Sequence, residues 1–228
     1  MQMASSREEL ERLADLFPKW RESKKSFDEH DSELFVRESS FFCPKDISHA
    51  YLITGRCAEL ECPDLALRVF ADHPRYGFSA KSYKGVLHLI HALHLSHPLS
   101  DTITAAALLK LNHHPETTAS LPACAMVTYA ALRNIGSDPR TKDLAEVLLP
   151  ALRKLCNSAD PDEIGKQRFE GVGVGFGQPQ KWFLDSLKSI EEHLKGEGKD
   201  MIWLEGARKK FGFPPSKKQE QLQDDSSS

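Results

Sequence analysis

The sequence lacks a long apolar run, a disulfide pattern and a strong excess of either charge. No segment approaches the roughly 18 consecutive apolar residues of a membrane-spanning helix, so we expect no membrane segment. The first residues contain no apolar core, which excludes a secretory signal peptide. Five cysteines, odd in number and scattered, indicate reduced thiols rather than a disulfide framework. A formal net charge of −3 excludes a chain that is strongly basic throughout.

Strand patterns are also absent, because no segment shows a convincing alternation of apolar and polar residues outside a glycine-rich run. Apolar residues instead recur at helical spacing, most regularly in residues 63–95. There the sequence predicts a helix from Pro63 that ends at His73, a turn at Gly77, and a second helix capped by Ser79. We therefore predict an all-α fold.

A pair of short amphipathic helices cannot bury its apolar faces alone and is expected to stack on further pairs. Residues 46–60 predict another helix directly before the first one. Residues 126–152 predict a further pair, with Gly136 between its two helices. Residues 82–111 give a weaker unit, because their second half lacks the expected spacing.

These segments resemble pentatricopeptide repeats. Residues 127–134 (VTYAALRN), a glycine break, and Ala145 sixteen positions after Tyr129 match the family's first and second helices. The earlier unit matches with one extra residue between its helices, at Leu52, Ile53, Ala66, Phe70 and Gly77. The resemblance covers roughly residues 46–155. It implies a short solenoid of helical hairpins, like those of pentatricopeptide and tetratricopeptide proteins, with extra helices at both ends.

Composition divides the chain into four segments. They are a charged N-terminal helical segment (1–45), the degenerate repeats (46–156), a glycine-rich connector with C-terminal helices (157–213) and a polar tail (214–228). In the first segment, Ser6 is predicted to cap a helix that Pro18 ends. Residues 112–122 are predicted to form a linker or a broken helix end. The polar tail is predicted to be disordered.

A row of histidines is the most evident candidate for metal chemistry. His88, His91, His94 and His97 recur every three residues, and imidazoles at such spacing can share a metal. A spacing of three drifts by about 60° per step around a helix, so the four rings cannot converge on one ion. We expect polar, solvated or partner-facing histidines and no metal; a metal-dependent enzyme using this row is the alternative.

No catalytic or nucleotide-binding pattern is present. The glycine-rich run at residues 171–177 lacks the spacing of a dinucleotide loop or a P-loop, and no serine lies in a GxSxG elbow. Cys57, Cys62 and Cys124 lie in or beside apolar helical stretches, where thiols are buried and inert. We expect no enzymatic activity, no cofactor and no small-molecule substrate.

Basic and aromatic residues do gather locally and suggest contacts with RNA. The candidate phosphate contacts are Arg75, Lys81, Lys84, Arg208, Lys209 and Lys210, and the candidate stacking residues are Tyr76 and Tyr83. The positions that read bases in RNA-binding repeat proteins correspond, by the resemblance, to about Tyr51, Gly85 and Ala131. These lack the Asn, Ser or Thr of such a code. We therefore expect contacts with the RNA backbone or with protein, not base-by-base reading.

The chain has few, degenerate repeats and mixed charge, and in this it is similar to the repeat proteins of the mitochondrial ribosomal small subunit. The resemblance implies a non-catalytic RNA–protein scaffold, as a component or assembly factor of the mitochondrial ribosome or of organellar RNA metabolism. RNA and protein subunits would be its partners. The expected compartment is the mitochondrial matrix, with the cytoplasm as the alternative because acidic residues interrupt the basic residues of a presequence. The alternative function is a protein–protein adaptor with a tetratricopeptide-style groove.

Overall fold

The computed structural model describes residues 5–22, 49–136, 139–161, 179–196 and 202–211. All regular secondary structure in these ranges is helical, which confirms the predicted all-α class. Within the same ranges, no helix has the length and apolar content needed to span a membrane. The predictions for residues 23–48, 162–178, 197–201 and 212–228, which include the glycine-rich run and the polar tail, lie outside the described residues.

Ten α-helices and one short 3₁₀ helix follow one another along the described ranges. They are α1 (Arg7–Glu22), α2 (His49–Glu59), α3 (Pro63–Ala71), α4 (His73–Tyr76), α5 (Tyr83–His94), α6 (Leu99–Leu111), the 3₁₀ helix (Thr117–Ala119), α7 (Leu121–Arg133), α8 (Pro139–Ser158), α9 (Pro179–Gly196) and α10 (Ile202–Phe211).

The prediction that Pro18 ends the first helix is wrong, since α1 continues to Glu22. A proline inside a helix removes one backbone hydrogen bond and favours a break. Here the turn before it is held by packing: Ala14 and Phe17 are buried, and the Phe17 ring lies 4.6 Å from that of Phe78. Tertiary contact therefore outweighs the local preference of proline.

Serine side chains cap three of the helices, each accepting a backbone N–H at 3.3 Å. The caps are Ser6 for α1, Ser82 for α5 and Ser120 for α7. The predicted cap at Ser79 is wrong, because α5 begins three residues later than that cap implies. The predicted linker at residues 112–122 contains the first turn of α7, which Ser120 caps and in which Pro122 is well tolerated.

Two helix ends place a residue other than glycine in the left-handed region. Glu61, after α2, has a φ of 56°, and His113, after α6, has a φ of 60°. At the first of these ends, the N–H of Cys62 donates to the carbonyl of Cys57 at 2.8 Å, the pattern of a Schellman motif. This position favours glycine, so a glutamate there costs about 1 kcal/mol of stability.

The helix α7 is the most completely buried of the described helices. Every residue from Leu121 to Leu132 is buried except Tyr129. Four neighbours surround it: α5, α6, α8 and α9. Four of its buried positions are alanines, whose small side chains let the surrounding backbones approach closely. This helix therefore forms the centre of the hydrophobic core.

Helices that follow one another pack in pairs. The pairs in contact are α2 with α3, α5 with α6, α7 with α8 and α9 with α10. The first members of these pairs also contact each other in chain order, so that α2 packs on α5, α5 on α7 and α7 on α9. In addition, α9 reaches back to contact α5. Segments that are distant in sequence are therefore brought together around α5.

Close packing between α2 and α5 occurs at Gly85. A Cβ added at this position would lie 3.0 Å from the Cβ of Ala50 and 3.0 Å from the backbone nitrogen of Tyr51. Contacts that short require a neighbour to move, and here the neighbours belong to the first turn of a helix. The glycine therefore permits the two helices to meet.

We expect Gly85→Ala to lower the free energy of unfolding by about 1 to 3 kcal/mol, because the added methyl group crowds the α2 backbone. The matched control is Gly206→Ala in α10, where a Cβ meets nothing within 4 Å. That change should raise stability by about 1 kcal/mol through helix propensity. Urea unfolding of both variants measures the difference; an equal gain in both would show that α2 and α5 are not tightly packed at Gly85.

Candidate functional site

Three of the four histidines in the row lie within the packed part of the protein. The helix α5 carries His88, His91 and His94, and its neighbours include α2, α7 and α9. His88 is 7% exposed and His94 is 2% exposed, while His91 is half-buried. The expectation of solvated or partner-facing histidines is therefore wrong for His88 and His94.

Trp182 of α9 stacks on two of these imidazoles. Its ring centroid lies 4.5 Å from that of His91, at an interplanar angle of 21°, and 5.4 Å from that of His88, at 14°. Tyr51 of α2 contacts the same His88 ring at 5.0 Å. The row is therefore a packing surface, on which aromatic side chains from two other helices rest.

The row does not assemble a metal site within the described residues, where no group of three or more His, Cys, Asp or Glu side chains is placed to hold an ion. His94 uses its Nδ1 to donate to the carbonyl of His91 at 2.7 Å. Its ring lies 6.1 Å from that of Tyr129 in α7. These contacts account for His94 as a hydrogen-bonded core residue.

Burial keeps the three imidazoles neutral. It lowers the pKa of His88 and of His94 to about 4, and that of His91 to about 3, because a poorly solvated site disfavours the charged ring. The positive charges of Lys181 and Arg133 contribute to the lowered pKa values of His91 and His94, respectively. The unfolded chain, by contrast, protonates these rings near their ordinary pKa of about 6.5.

We therefore expect the protein to lose stability as the pH falls below about 6.5. The unfolded state then binds more protons than the folded state, and the loss levels off near the folded pKa values of about 3 to 4. At pH 5 each ring should cost about 1 to 2 kcal/mol. Replacing His88 by Phe, which keeps a ring but cannot titrate, should reduce this pH dependence in urea unfolding. The exposed control His113→Asn should leave it unchanged.

A groove of about 850 Å³ opens beside the histidine row. It is bounded by α5, which contributes His91 and Leu95, by the turn between α2 and α3, which contributes Glu61, and by α9, which contributes Lys181 and Asp185. Leu95 is 52% exposed. We call this cavity the α5 groove. Its residues come from three separate stretches of sequence, and apart from the histidine row no sequence pattern indicates them.

Two of the three residues in the C-terminal basic cluster are engaged inside the protein. Arg208 donates through Nη1 to the carboxylate of Glu191 at 2.6 Å, with the two side chains 14% and 4% exposed. Lys210 donates through Nζ to the carbonyls of Cys156 and Asn157, both at 2.9 Å, at the end of α8. These bonds hold α10 on α9 and α8. Lys209 is exposed.

The Glu191 carboxylate is the anchor of this cluster. Burial raises its pKa, but hydrogen bonds from Lys195 and Arg208 outweigh burial and hold the pKa below its usual value. The ionised Glu191 therefore stabilises the folded protein fully above its unfolded pKa of about 4.5. This stabilisation is lost as the pH falls through the lower pKa of Glu191 in the folded state.

We expect Arg208→Ala to lower the free energy of unfolding by about 3 kcal/mol, because it leaves a buried carboxylate without one of its two cationic partners. The adjacent exposed control, Lys209→Ala, should change stability by less than about 0.5 kcal/mol. Thermal and urea unfolding at pH 7 compare the two variants. Equal, small effects would show that Arg208 is a surface residue whose charge is available to a ligand.

The other basic candidates lie at the surface, between α4 and the start of α5. Arg75, Lys81 and Lys84 are exposed. Tyr76 is only 3% exposed, and the Arg75 guanidinium lies 5.1 Å from its ring centroid. Tyr83 is half-buried, and its hydroxyl lies 2.7 Å from the Ser120 hydroxyl. A base cannot stack on a buried ring, so Tyr76 is a core residue and not a stacking platform.

The positions that correspond to base-reading residues are also buried. Tyr51 is 3% exposed, Ala131 is 0% exposed, and Gly85 lies against α2. None of them presents a side chain to a ligand on the surface. Cys57, Cys62 and Cys124 are buried as the sequence predicts, and burial raises the pKa of the Cys124 thiol to about 11.

Comparison of the chain with protein-family models, with curated proteins and with solved structures gives no match in any of the three.

Proposed function

We propose that the protein is a non-catalytic RNA–protein scaffold, built from degenerate helical-hairpin repeats of the pentatricopeptide type. It would act in the mitochondrial matrix, as a component or assembly factor of the mitochondrial ribosome or of organellar RNA metabolism. Its RNA contact would be made by phosphate-binding residues Arg75, Lys81 and Lys84. The observation that carries the RNA contact is the exposure of these three side chains on one short stretch of chain.

The order of helix contacts supports the repeat architecture. Consecutive helices pair, and α2, α5, α7 and α9 follow one another through direct contacts, as expected when each hairpin buries its apolar face on the next. The paired helices α7 and α8 coincide with residues 126–152, where the repeat pattern is most complete in the sequence. The second helix of the weaker middle unit, where the pattern is lost, is present as α6.

The local charge supports a phosphate contact. Residues 73–100 contain no Asp or Glu, so no carboxylate within this stretch neutralises Arg75, Lys81 and Lys84. Lys81 and Lys84 flank the N-terminus of α5, where the helix dipole adds to the positive potential. The nearest preceding acid, Asp72, accepts a hydrogen bond from the backbone N–H of Arg75 at 3.2 Å. The stretch therefore carries a net positive charge of its own, which favours a phosphate contact.

Of the six basic candidates in the sequence, this proposal keeps Arg75, Lys81 and Lys84 as the main contacts and Lys209 as an exposed accessory. Arg208 and Lys210 are assigned to the attachment of α10. Tyr83 is half-buried and stays a candidate for stacking, whereas Tyr76 is buried and is left out. Recognition would be of the RNA backbone, because buried residues occupy the base-reading positions.

The test is binding of a fluorescein-labelled RNA hairpin to the purified chain over a series of salt concentrations. Three phosphate contacts should give a slope of about −2 to −3 in a plot of log K against log salt. The variant with Arg75, Lys81 and Lys84 all changed to Glu should abolish most of that slope. It should also stop co-sedimentation of the tagged protein with a ribosomal subunit in a sucrose gradient.

The control changes three exposed basic residues of α8 to Glu: Lys142, Arg153 and Lys154. It alters the net charge equally but leaves the proposed surface intact, so RNA affinity should fall only slightly. If the two triple variants bind RNA equally, or if nuclease does not release the native protein from the particle, the RNA contact is wrong. The protein–protein adaptor then becomes the better description, since apolar docking weakens little with salt.

A further inference from the structure

We infer that the α5 groove is a docking site for a segment of a partner protein in which an apolar side chain is flanked by arginine or lysine. The inference goes beyond the proposed RNA contact and shares no residue with it. It rests on the volume of the groove, on the exposed Leu95 in its lining and on two unpaired carboxylates in the same lining.

Apolar side chains form part of the groove lining. Leu95, immediately after α5, is 52% exposed, and Ala58, Ala92 and Pro63 line the cavity beside it. Trp182 and the neutral imidazole of His91 also contribute to the lining, together with the polar residues Ser96 and His97. An apolar side chain of a partner would bury Leu95 and displace water from these surfaces, which is the main source of affinity in such contacts.

The groove lining carries an excess of negative charge. Glu61 projects from the turn between α2 and α3, Asp185 belongs to α9, and the only lysine among the described lining residues is Lys181. Within the described part of the chain, neither carboxylate makes a hydrogen bond or an ion pair. Two unpaired carboxylates against one lysine, in the same lining as the exposed Leu95, complement a segment with cationic residues on either side of an apolar one.

Glu61 occupies a position at which glycine would be more stable. Its φ of 56° lies in the left-handed region, where a side chain adds strain. Replacement of Glu61 by Gly therefore removes the carboxylate and at the same time relieves the backbone. Glu61→Gly therefore separates the contribution of the carboxylate to binding from the effect of the residue on stability. A loss of binding in this variant cannot be attributed to a loss of folding.

The experiment measures fluorescence anisotropy of a short fluorescein-labelled peptide, with a central leucine flanked by arginines, on the full chain. A second peptide carries glutamates in place of the arginines. The arginine peptide should bind saturably and the glutamate peptide should not. Glu61→Gly and Asp185→Asn should each raise the Kd of the arginine peptide about threefold, and the double variant about tenfold, as expected for partly exposed ion pairs.

Two further variants locate the contact. Leu95→Ser should weaken the arginine peptide by removing the exposed apolar side chain, whereas the exposed Asp143→Asn on α8 should leave its Kd unchanged. Unfolding measurements should show Glu61→Gly to be at least as stable as the unaltered chain. The RNA affinity of all these variants should be that of the unaltered chain, so failure of one proposal does not imply failure of the other.

Three outcomes would overturn the inference. The first is equal binding, or equal absence of binding, of the two peptides. The second is a Kd for the arginine peptide that Glu61→Gly and Asp185→Asn do not change. The third is tighter binding by Phe176→Ser, which would show that residues 162–178 of this chain compete for the groove and are its proper occupant.

Discussion

The burial of α7 is the constraint on which the rest of the structure depends. A helix surrounded by α5, α6, α8 and α9 can have almost no polar side chain, and its first and last turns must satisfy their own backbone groups. Ser120 caps the first turn, and the buried Thr128 donates its hydroxyl to the carbonyl of Cys124 at 2.6 Å inside the helix. Because the alanine side chains of α7 are small, the neighbouring helices approach it closely. Larger side chains on those neighbouring helices then fill the core.

The histidine row of α5 shows how polar residues can serve such a core. A neutral imidazole has two flat faces that pack like those of an aromatic ring, and a nitrogen that can bond a nearby carbonyl. His88 and His91 present their faces to Trp182, and His94 bonds the backbone one turn earlier. The stacking of Trp182 on His88 and His91 joins α9 to α5. It also creates the α5 groove, because the returning helix forms one side of the cavity.

The two clusters of basic residues differ in their surroundings. Arg208 and Lys210 are close in sequence to the exposed Lys209, yet Arg208 pairs with Glu191 and Lys210 donates to the carbonyls at the end of α8. Arg75, Lys81 and Lys84 instead lie exposed in a stretch without acids. The proposed phosphate contact lies near the start of α5 and the proposed docking groove beside the other end of the same helix, so the two proposals place their partners on different surfaces.

Local signals in the sequence determined the helical class, most helix positions and the burial of Cys57, Cys62 and Cys124. Periodicity, glycine turns and serine caps act over a few residues, so they can be read without knowing the fold. The errors at Pro18 and Ser79 arose where packing or a neighbouring cap outweighed the local preference. Tertiary structure alone decided that His88 stacks on Trp182, that Gly85 admits α2, that Arg208 pairs with Glu191, and that Glu61 and Asp185 flank one groove. Each of these contacts joins residues that are distant in sequence. Whether such residues meet depends on the packing energy of the whole core, which cannot be read from a short stretch of sequence.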